Sequence, residues 1–137
     1  MSLFNVFEIS GSALSAQSMR LNAIASNLAN AGVVSGSAEQ AYRARYPVFS
    51  TIYESARAEQ PPGGVRVDGV YESKVAPRKE YSPANPMADE EGYIYRSNVN
   101  SVEEMANMIS ASRSYQSSVE AMNTTKQLIM RTLSLGK

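Results

Sequence analysis

Three residue types are missing from this 137-residue chain: cysteine, histidine and tryptophan. Without cysteine there can be no disulfide framework, and zinc sites built on thiolates are excluded. Without histidine the commonest general base is absent, so a Ser-His-Asp triad cannot form. The sequence contains no recognisable motif for catalysis, metal binding or a cofactor. We therefore expect no enzyme activity, no metal and no cofactor.

Long apolar runs and a surplus of charge are missing as well. No run of about 18 apolar residues occurs, so we expect no transmembrane helix. Thirteen basic residues balance 13 acidic residues, which argues against a nucleic-acid partner. The N-terminal stretch MSLFNVFEISGSALSAQ is unlike a secretory signal, because Glu8 interrupts its apolar run and the first basic side chain is Arg20. We expect no small-molecule substrate either.

A helical pattern occupies the N-terminal part, from about Leu3 to Ala31. Apolar side chains recur at seven-residue spacing with one offset position, which predicts a helix with a coiled-coil seam. Asn30 and Gly32 offer a C-terminal stop. The seam residues predicted on this helix are Phe7, Leu14, Leu21, Ile24 and Leu28.

A second helix is predicted from Ser101 to about Ser134. Two capping boxes could begin it, Asn100 with Glu103 or Ser101 with Glu104. Apolar residues then step by three and four, as on one face of an amphipathic helix. We expect this face to pair with the N-terminal helix through Val102, Met105, Ile109, Tyr115, Val119, Met122 and Ile129.

The middle of the chain holds all 6 prolines and short strand patterns. AYRARYPVF alternates as a strand does, with Pro47 at its edge or end. Asp68-Gly69 suggests a hairpin turn, and YIYR at 93–96 suggests another strand. The predicted fold is mainly α with a small β-rich middle. Residues 1–32 form the N-terminal helix, 33–99 the β-rich segment and 100–137 the C-terminal helix, and the two helices pair as a coiled coil.

Charge is depleted in both predicted helices. Between Glu8 and Glu39 the sole charged residue is Arg20, and between Glu104 and Glu120 it is Arg113. A helix that faces water normally carries charge on its outer side, whereas the cores of protein interfaces are poor in charge. We therefore expect other protein on several sides of each helix, with the asparagines exposed in a lone chain and buried in an assembly. The candidate contacts between subunits are Arg20, Asn22, Asn27, Asn30 and Arg113.

Two segments carry a resemblance to a known family. Ser10-Gly11 followed by ALSAQSMRLNAIASNLANA resembles the N-terminal signature of the bacterial flagellar axial proteins, the subunits of rod, hook and hook-filament junction. SNVNSVEEMANMISASRSYQSSVEAMNTTKQLIMRTLSLGK resembles their C-terminal helix. GVVSGSAEQAYRARYPVF stands where many of these proteins have a Thr-x-Gly-Tyr stretch. That variant, ANPMADEEGYIY and the short length narrow the resemblance to subunits of the proximal rod.

The resemblance implies a structural subunit of the flagellar basal body. Such a subunit leaves the cytoplasm uncleaved through the flagellar type III export apparatus. It assembles with copies of itself and with other rod proteins into a helical tube that crosses the periplasm and transmits torque from motor to hook. In these proteins the terminal helices pair as a coiled coil that forms the inner tube.

Two alternatives stay open at this point. The chain could be another short axial subunit, a neighbour within the proximal rod. It could also be a helical protein of a membrane surface. That class needs Lys and Arg beside an apolar face, and the N-terminal helix has Arg20 alone.

Overall fold

The computed structural model of the chain describes residues 3–52 and 63–135. Two helices, α1 and α2, enclose a small strand region in the sequence, as predicted. The elements in order are α1 (Leu3–Asn30), β1 (Val34–Ser35), β2 (Arg45–Thr51), β3 (Val65–Glu72), β4 (Arg78–Tyr81), β5 (Tyr93–Arg96) and α2 (Ser101–Leu135). Strands β1, β5 and β4 form an antiparallel sheet in that order, while β2 and β3 form a separate two-stranded sheet. None of the described helices is long and apolar enough to cross a membrane.

The end of α1 and the start of α2 follow from local signals in the sequence. The Asn100 side chain caps α2, because its Oδ1 accepts a hydrogen bond from the Val102 N–H at 3.2 Å. Asn100 is therefore the N-cap of α2, and the capping box that pairs it with Glu103 stays a prediction. At the end of α1, the Val33 N–H donates to the Asn30 carbonyl at 3.2 Å and turns the chain into β1.

The strand predictions have mixed outcomes. Strand β5 coincides with YIYR, and Pro47 lies inside β2, where a two-stranded sheet makes every strand an edge. The hairpin expected at Asp68-Gly69 is wrong, because β3 runs through both residues without a break. An Asp-Gly hairpin turn needs positive φ angles, and in the described chain the residues with positive φ are Gly64 and Gly92.

The chain forms two compact units. The first contains Met1–Leu21, Pro47–Gly69 and Ser110–Lys137. Its buried side chains are small, and Ala16 and Ala111 are among them. At Gly11 an added Cβ would lie 3.7 Å from the Met122 Cε, so α1 and α2 are in contact at this point.

The hydroxyl of Ser12 also holds β3 within the first unit. It donates to the Ile9 carbonyl at 2.8 Å and accepts the Val65 N–H at 3.1 Å. Gly64, with a φ of 132°, precedes this strand, and its carbonyl accepts the Ile52 N–H at 3.1 Å. The left-handed conformation at Gly64 is one that side chains rarely adopt.

The second unit contains Asn22–Tyr46 and Val70–Ile109, with the three-stranded sheet inside it. Its apolar core is small and is made of buried side chains from α1, the strands and the segments that join them: Ile24, Ala41, Ala44, Ile94 and Val99. Buried polar side chains complete this interior. The most deeply buried of them are Asn27 and Glu104.

Candidate assembly interface

A buried polar cluster in the second unit joins α1, β2 and α2. The Asn27 side chain is 0% exposed. Its Oδ1 accepts the Arg45 N–H at 2.8 Å and the Tyr42 hydroxyl at 3.0 Å. Its Nδ2 donates to the Arg45 carbonyl at 2.9 Å and to Glu104 Oε2 at 3.2 Å. Both lone pairs and both N–H groups of the amide therefore have partners.

Glu104 is the acidic member of this cluster and is 1% exposed. Its second oxygen, Oε1, accepts the Tyr46 hydroxyl at 3.3 Å. Among the described residues no cation pairs with Glu104, so its carboxylate depends on the neutral donors Asn27 and Tyr46. A buried carboxylate is costly unless such hydrogen bonds compensate it.

The environment of the Tyr46 hydroxyl raises its pKa. Burial raises the pKa of Tyr46. The negative charge of Glu104 and the hydrogen bond to it raise the pKa of Tyr46 further, because a phenolate there would face a carboxylate. Tyr46 therefore stays a hydrogen-bond donor to Glu104 across the neutral pH range.

The other side of α2 in this unit is apolar and exposed. Val102, Met105 and Ile109 have 76%, 52% and 58% of their surface exposed. Spaced by three and four residues, they share one face, which we call the outer stripe. At about 100° per residue, the stripe lies roughly 100–160° around the helix from Glu104. This part of α2 thus buries a charge and exposes apolar side chains.

The predicted helix seam is placed only in part. In the second unit Ile24 is buried and Leu28 is half-buried, but the three residues of the outer stripe do not lie in a buried intrachain seam. The reason is that Asn27 and Tyr46 hydrogen-bond Glu104 and so fix it on the inward side of α2. In the first unit Leu14, Leu21, Val119, Met122 and Ile129 are half-buried, and Phe7 and Tyr115 are exposed. The coiled-coil pairing itself stays a prediction.

The five predicted contact residues differ in their surroundings. Asn22 and Arg113 are exposed, whereas Arg20 is half-buried. Asn30 is half-buried and its Nδ2 donates to the Ser26 carbonyl of the preceding turn at 2.8 Å. The expectation that Asn27 is exposed in a lone chain is wrong, because its amide pairs with the backbone of Arg45 inside the same chain. One signal was available: Asn27 lies three residues after Ile24, on the seam side of the helix.

Sequence reasoning also missed a second polar cluster, in the loop between β4 and β5. Asp89 Oδ1 accepts the Tyr93 N–H at 2.8 Å and the Glu91 N–H at 3.0 Å, and the Tyr95 hydroxyl donates to Oδ2 at 3.3 Å. The bond from Tyr93 contributes most to lowering the pKa of the Asp89 carboxyl. Lys79 Nζ lies 3.9 Å from the Tyr93 ring centroid. These contacts fix the conformation of the loop against β5. Within the described ranges no group of acidic residues could hold a metal ion.

Comparison with known proteins now adds to this geometry. Residues 7–36 match the family described as "Flagella basal body rod protein", and residues 90–135 match "Flagellar basal body rod FlgEFG protein C-terminal". The chain is 51% identical to the flagellar basal-body rod protein FlgC of Yersinia enterocolitica and 50% identical to that of Salmonella typhimurium. It is 42% identical to FlgC of Buchnera aphidicola subsp. Acyrthosiphon pisum. Each match covers 100% of both chains. The chain therefore belongs to the FlgC family of flagellar basal-body rod proteins.

Proposed function

We propose that the chain is a structural subunit of the proximal rod of the bacterial flagellum. It assembles with copies of itself and with other rod proteins into a helical tube, and this tube transmits torque from the motor to the hook. The full-length similarity to flagellar basal-body rod proteins is the observation that carries this proposal. The role is structural, without catalysis.

The outer stripe supports assembly as the mechanism. An apolar face left open on a helix that is poor in charge is typical of a protein contact site. Covering one stripe residue, already partly buried, is worth about 1–2 kcal/mol. Three such residues together favour the assembled state by several kcal/mol per subunit. We propose that a helix of a neighbouring rod subunit covers the stripe.

The remaining predicted residues take the same role. Asn22 and Arg113 are exposed on helices with few charges, and they contact neighbouring subunits together with Arg20 and Asn30. In the assembled rod α1 and α2 pair as a coiled coil, with Leu14 and Leu21 on one helix and Val119, Met122 and Ile129 on the other. A long helix gains most of its stability from such packing.

Localisation follows from the same role. The subunit lies in the basal body, in the rod that crosses the periplasm, and it reaches this place through the flagellar type III export apparatus without cleavage. The mass of the chain recovered from purified basal bodies tests this directly. A mass that lacks an N-terminal segment would contradict export without cleavage.

The interface is tested by substitutions at Met105, which is 52% exposed and therefore free to change without disturbing the core. Met105→Asp should leave the circular dichroism of the purified chain unchanged but reduce incorporation into basal bodies and swimming in a strain that lacks the native subunit. Met105→Leu is the matched control, because it keeps an apolar side chain of similar volume, and it should incorporate normally. Incorporation of Met105→Asp at the level of the parent would refute the proposed contact.

A further inference from the structure

Two arginines lie opposite each other in the three-stranded sheet of the second unit. The antiparallel register of β4 and β5 pairs Arg78 with Arg96. Side chains at directly opposite positions share one face of a sheet and lie close together, so two like charges there are unfavourable. Glu80 forms an ion pair with Arg96, but within the described ranges Arg78 forms none. A second anion at this position would therefore remove an imbalance of charge.

A recess beside this pair offers room for such an anion. Its volume is about 300 Å³, and both arginines line it. A water molecule takes about 30 Å³ in the liquid, so the recess can admit the end of an acidic side chain. The rest of its wall comes from the residue after α1, the segment that joins β5 to α2 and the first residues of α2: Ala31, Ser97, Val99, Asn100, Ser101 and Val102.

The hydroxyl of Ser97 indicates that the recess binds a hydrogen-bond acceptor. Ser97 lines the recess and is 2% exposed. Its Oγ accepts the Val99 N–H at 3.1 Å, and within the described ranges its own O–H has no acceptor. Buried polar groups normally have partners, and a hydroxyl can donate as well as accept. A carboxylate would accept from Ser97, and its two oxygens match the planar guanidinium of Arg78.

The recess is continuous with the outer stripe. Val102 belongs to both, because it lines the recess and is the first residue of the stripe. From Met105, the middle residue of the stripe, Val102 is about 5 Å away along the helix axis. A neighbour that covers the stripe therefore reaches the recess as well. A charged contact beside an apolar one fixes the register and selects the partner.

We propose that this recess binds a carboxylate side chain of the neighbouring rod subunit, on the same helix that covers the outer stripe. The Arg78 guanidinium pairs with the carboxylate, the Ser97 hydroxyl donates to it, and Arg96 adds positive charge while it stays paired with Glu80. The partner is thus a helix with an acidic side chain beside apolar ones. The contact forms in the assembled rod and requires no folded helix before assembly. This inference rests on the proposed function, because the neighbour is a rod subunit.

Charge reversal at Arg78 tests the site in assembled basal bodies. Arg78 is exposed, and Arg78→Glu places opposite charges across β4 and β5, which favours the sheet. In a strain that lacks the native subunit, incorporation of Arg78→Glu should nevertheless fall about tenfold or more, because two carboxylates would meet in the interface. Arg78→Lys keeps the charge without the bidentate geometry, so its incorporation should fall only about two- to threefold.

Lys74→Glu is the matched control, since it makes the same change of charge at an exposed residue outside the recess. Its incorporation should stay within about twofold of the parent level. An equal loss in Lys74→Glu, or normal incorporation of Arg78→Glu, would overturn the inference. The total amount of Arg78→Glu outside the cytoplasm should match that of the parent. A fall in that amount would also overturn the inference, because Arg78 would then act in export.

Suppressor selection identifies the partner. Revertants of Arg78→Glu that regain swimming should carry, in a rod subunit, a neutral or basic residue in place of an acidic one. Such a change within this chain identifies a second copy as the neighbour, and one in another rod protein identifies that subunit. Suppressors that never remove an acidic residue from a rod subunit would refute the carboxylate. If Met105→Asp assembles normally, the proposed interface fails first; if that variant fails to assemble and Arg78→Glu succeeds, the carboxylate site alone is refuted.

Discussion

Replacement of Asn27 by alanine tests the cluster at the junction of α1, β2 and α2. The substitution removes four hydrogen bonds of a side chain that is 0% exposed. The N–H of Arg45 and the carboxylate of Glu104 then lose a buried partner. An orphaned buried polar group costs about 1–3 kcal/mol, and a charged group such as the Glu104 carboxylate costs more. Because these losses share one site and do not add, we expect a total of about 3–5 kcal/mol.

Urea unfolding followed by circular dichroism measures this loss. With a slope of about 2 kcal/mol per molar urea, the midpoint should fall by about 2 M. Asn22→Ala is the matched control, since Asn22 lies on the same helix but is exposed. Its free energy of unfolding should change by less than about 0.5 kcal/mol, although its incorporation into the rod should fall if Asn22 contacts a neighbour.

The two asparagines thus separate stability from assembly. A loss below about 1 kcal/mol in Asn27→Ala would show that water replaces the amide at little cost, and the reasoning about the buried cluster would be refuted. An equal loss in both variants would refute it as well, because burial would then not distinguish the two positions.

Three further predictions concern Gly11, Gly92 and Asp89. Gly11→Ala should raise the free energy of unfolding by about 0.5–1 kcal/mol, because its Cβ would make an ordinary contact 3.7 Å from Met122. Gly92→Ala should lower the free energy of unfolding by about 1–3 kcal/mol, because φ is +82° there and the Cβ would lie 3.0 Å from Tyr81. If the urea midpoints of Gly11→Ala and Gly92→Ala shift in the same direction, these predictions are contradicted. The lowered pKa of Asp89 means that its ionised form stabilises the fold above about pH 4, and that this contribution is lost as the pH falls through the lowered pKa. The gap in melting temperature between the parent and Asp89→Asn should therefore narrow as the pH falls through the ordinary aspartate pKa of 3.8 and below it, and a constant gap would contradict the assignment.

Local signals in the sequence predicted the helices well. Seven-residue apolar spacing and the Asn100 cap are properties of neighbouring residues, so the bounds of α1 and α2 could be read without any tertiary contact. Strand β5 was readable for the same reason. The turn expected at Asp68-Gly69 was mispredicted, because an Asp-Gly pair is compatible with a turn or with a strand. In the structure β3 is extended through this pair, and the Arg66 side chain forms an ion pair with Asp68.

The orientation of α2 could not be read locally. Its partners lie far away in the sequence, because Asn27 and Glu104 are 77 positions apart and Tyr46 and Glu104 are 58 positions apart. Helical periodicity alone puts Glu104 in solvent and the residues of the outer stripe in a seam, since it ranks side chains by polarity. The burial of Asn27 was mispredicted for the same reason, because its side chain is buried by hydrogen bonds to the backbone of Arg45, which is distant in sequence.

The start of α2 departs from the usual burial rules in two ways, since Glu104 is buried and the outer stripe is exposed. Because the two features are close together, a single cause can explain both. Among the described residues, a buried carboxylate that pairs with no cation and an exposed apolar stripe would each be unexpected in a domain shaped by its own stability alone. Glu104 and Met105 are adjacent in the chain, so a single rotation of the helix produces both features. Local rules that fail together in this way are expected where a sequence serves a second structure. For a member of a rod-protein family we propose that this second structure is the contact with its neighbours, and the low charge of α2 beyond Glu104 fits the same proposal along the helix.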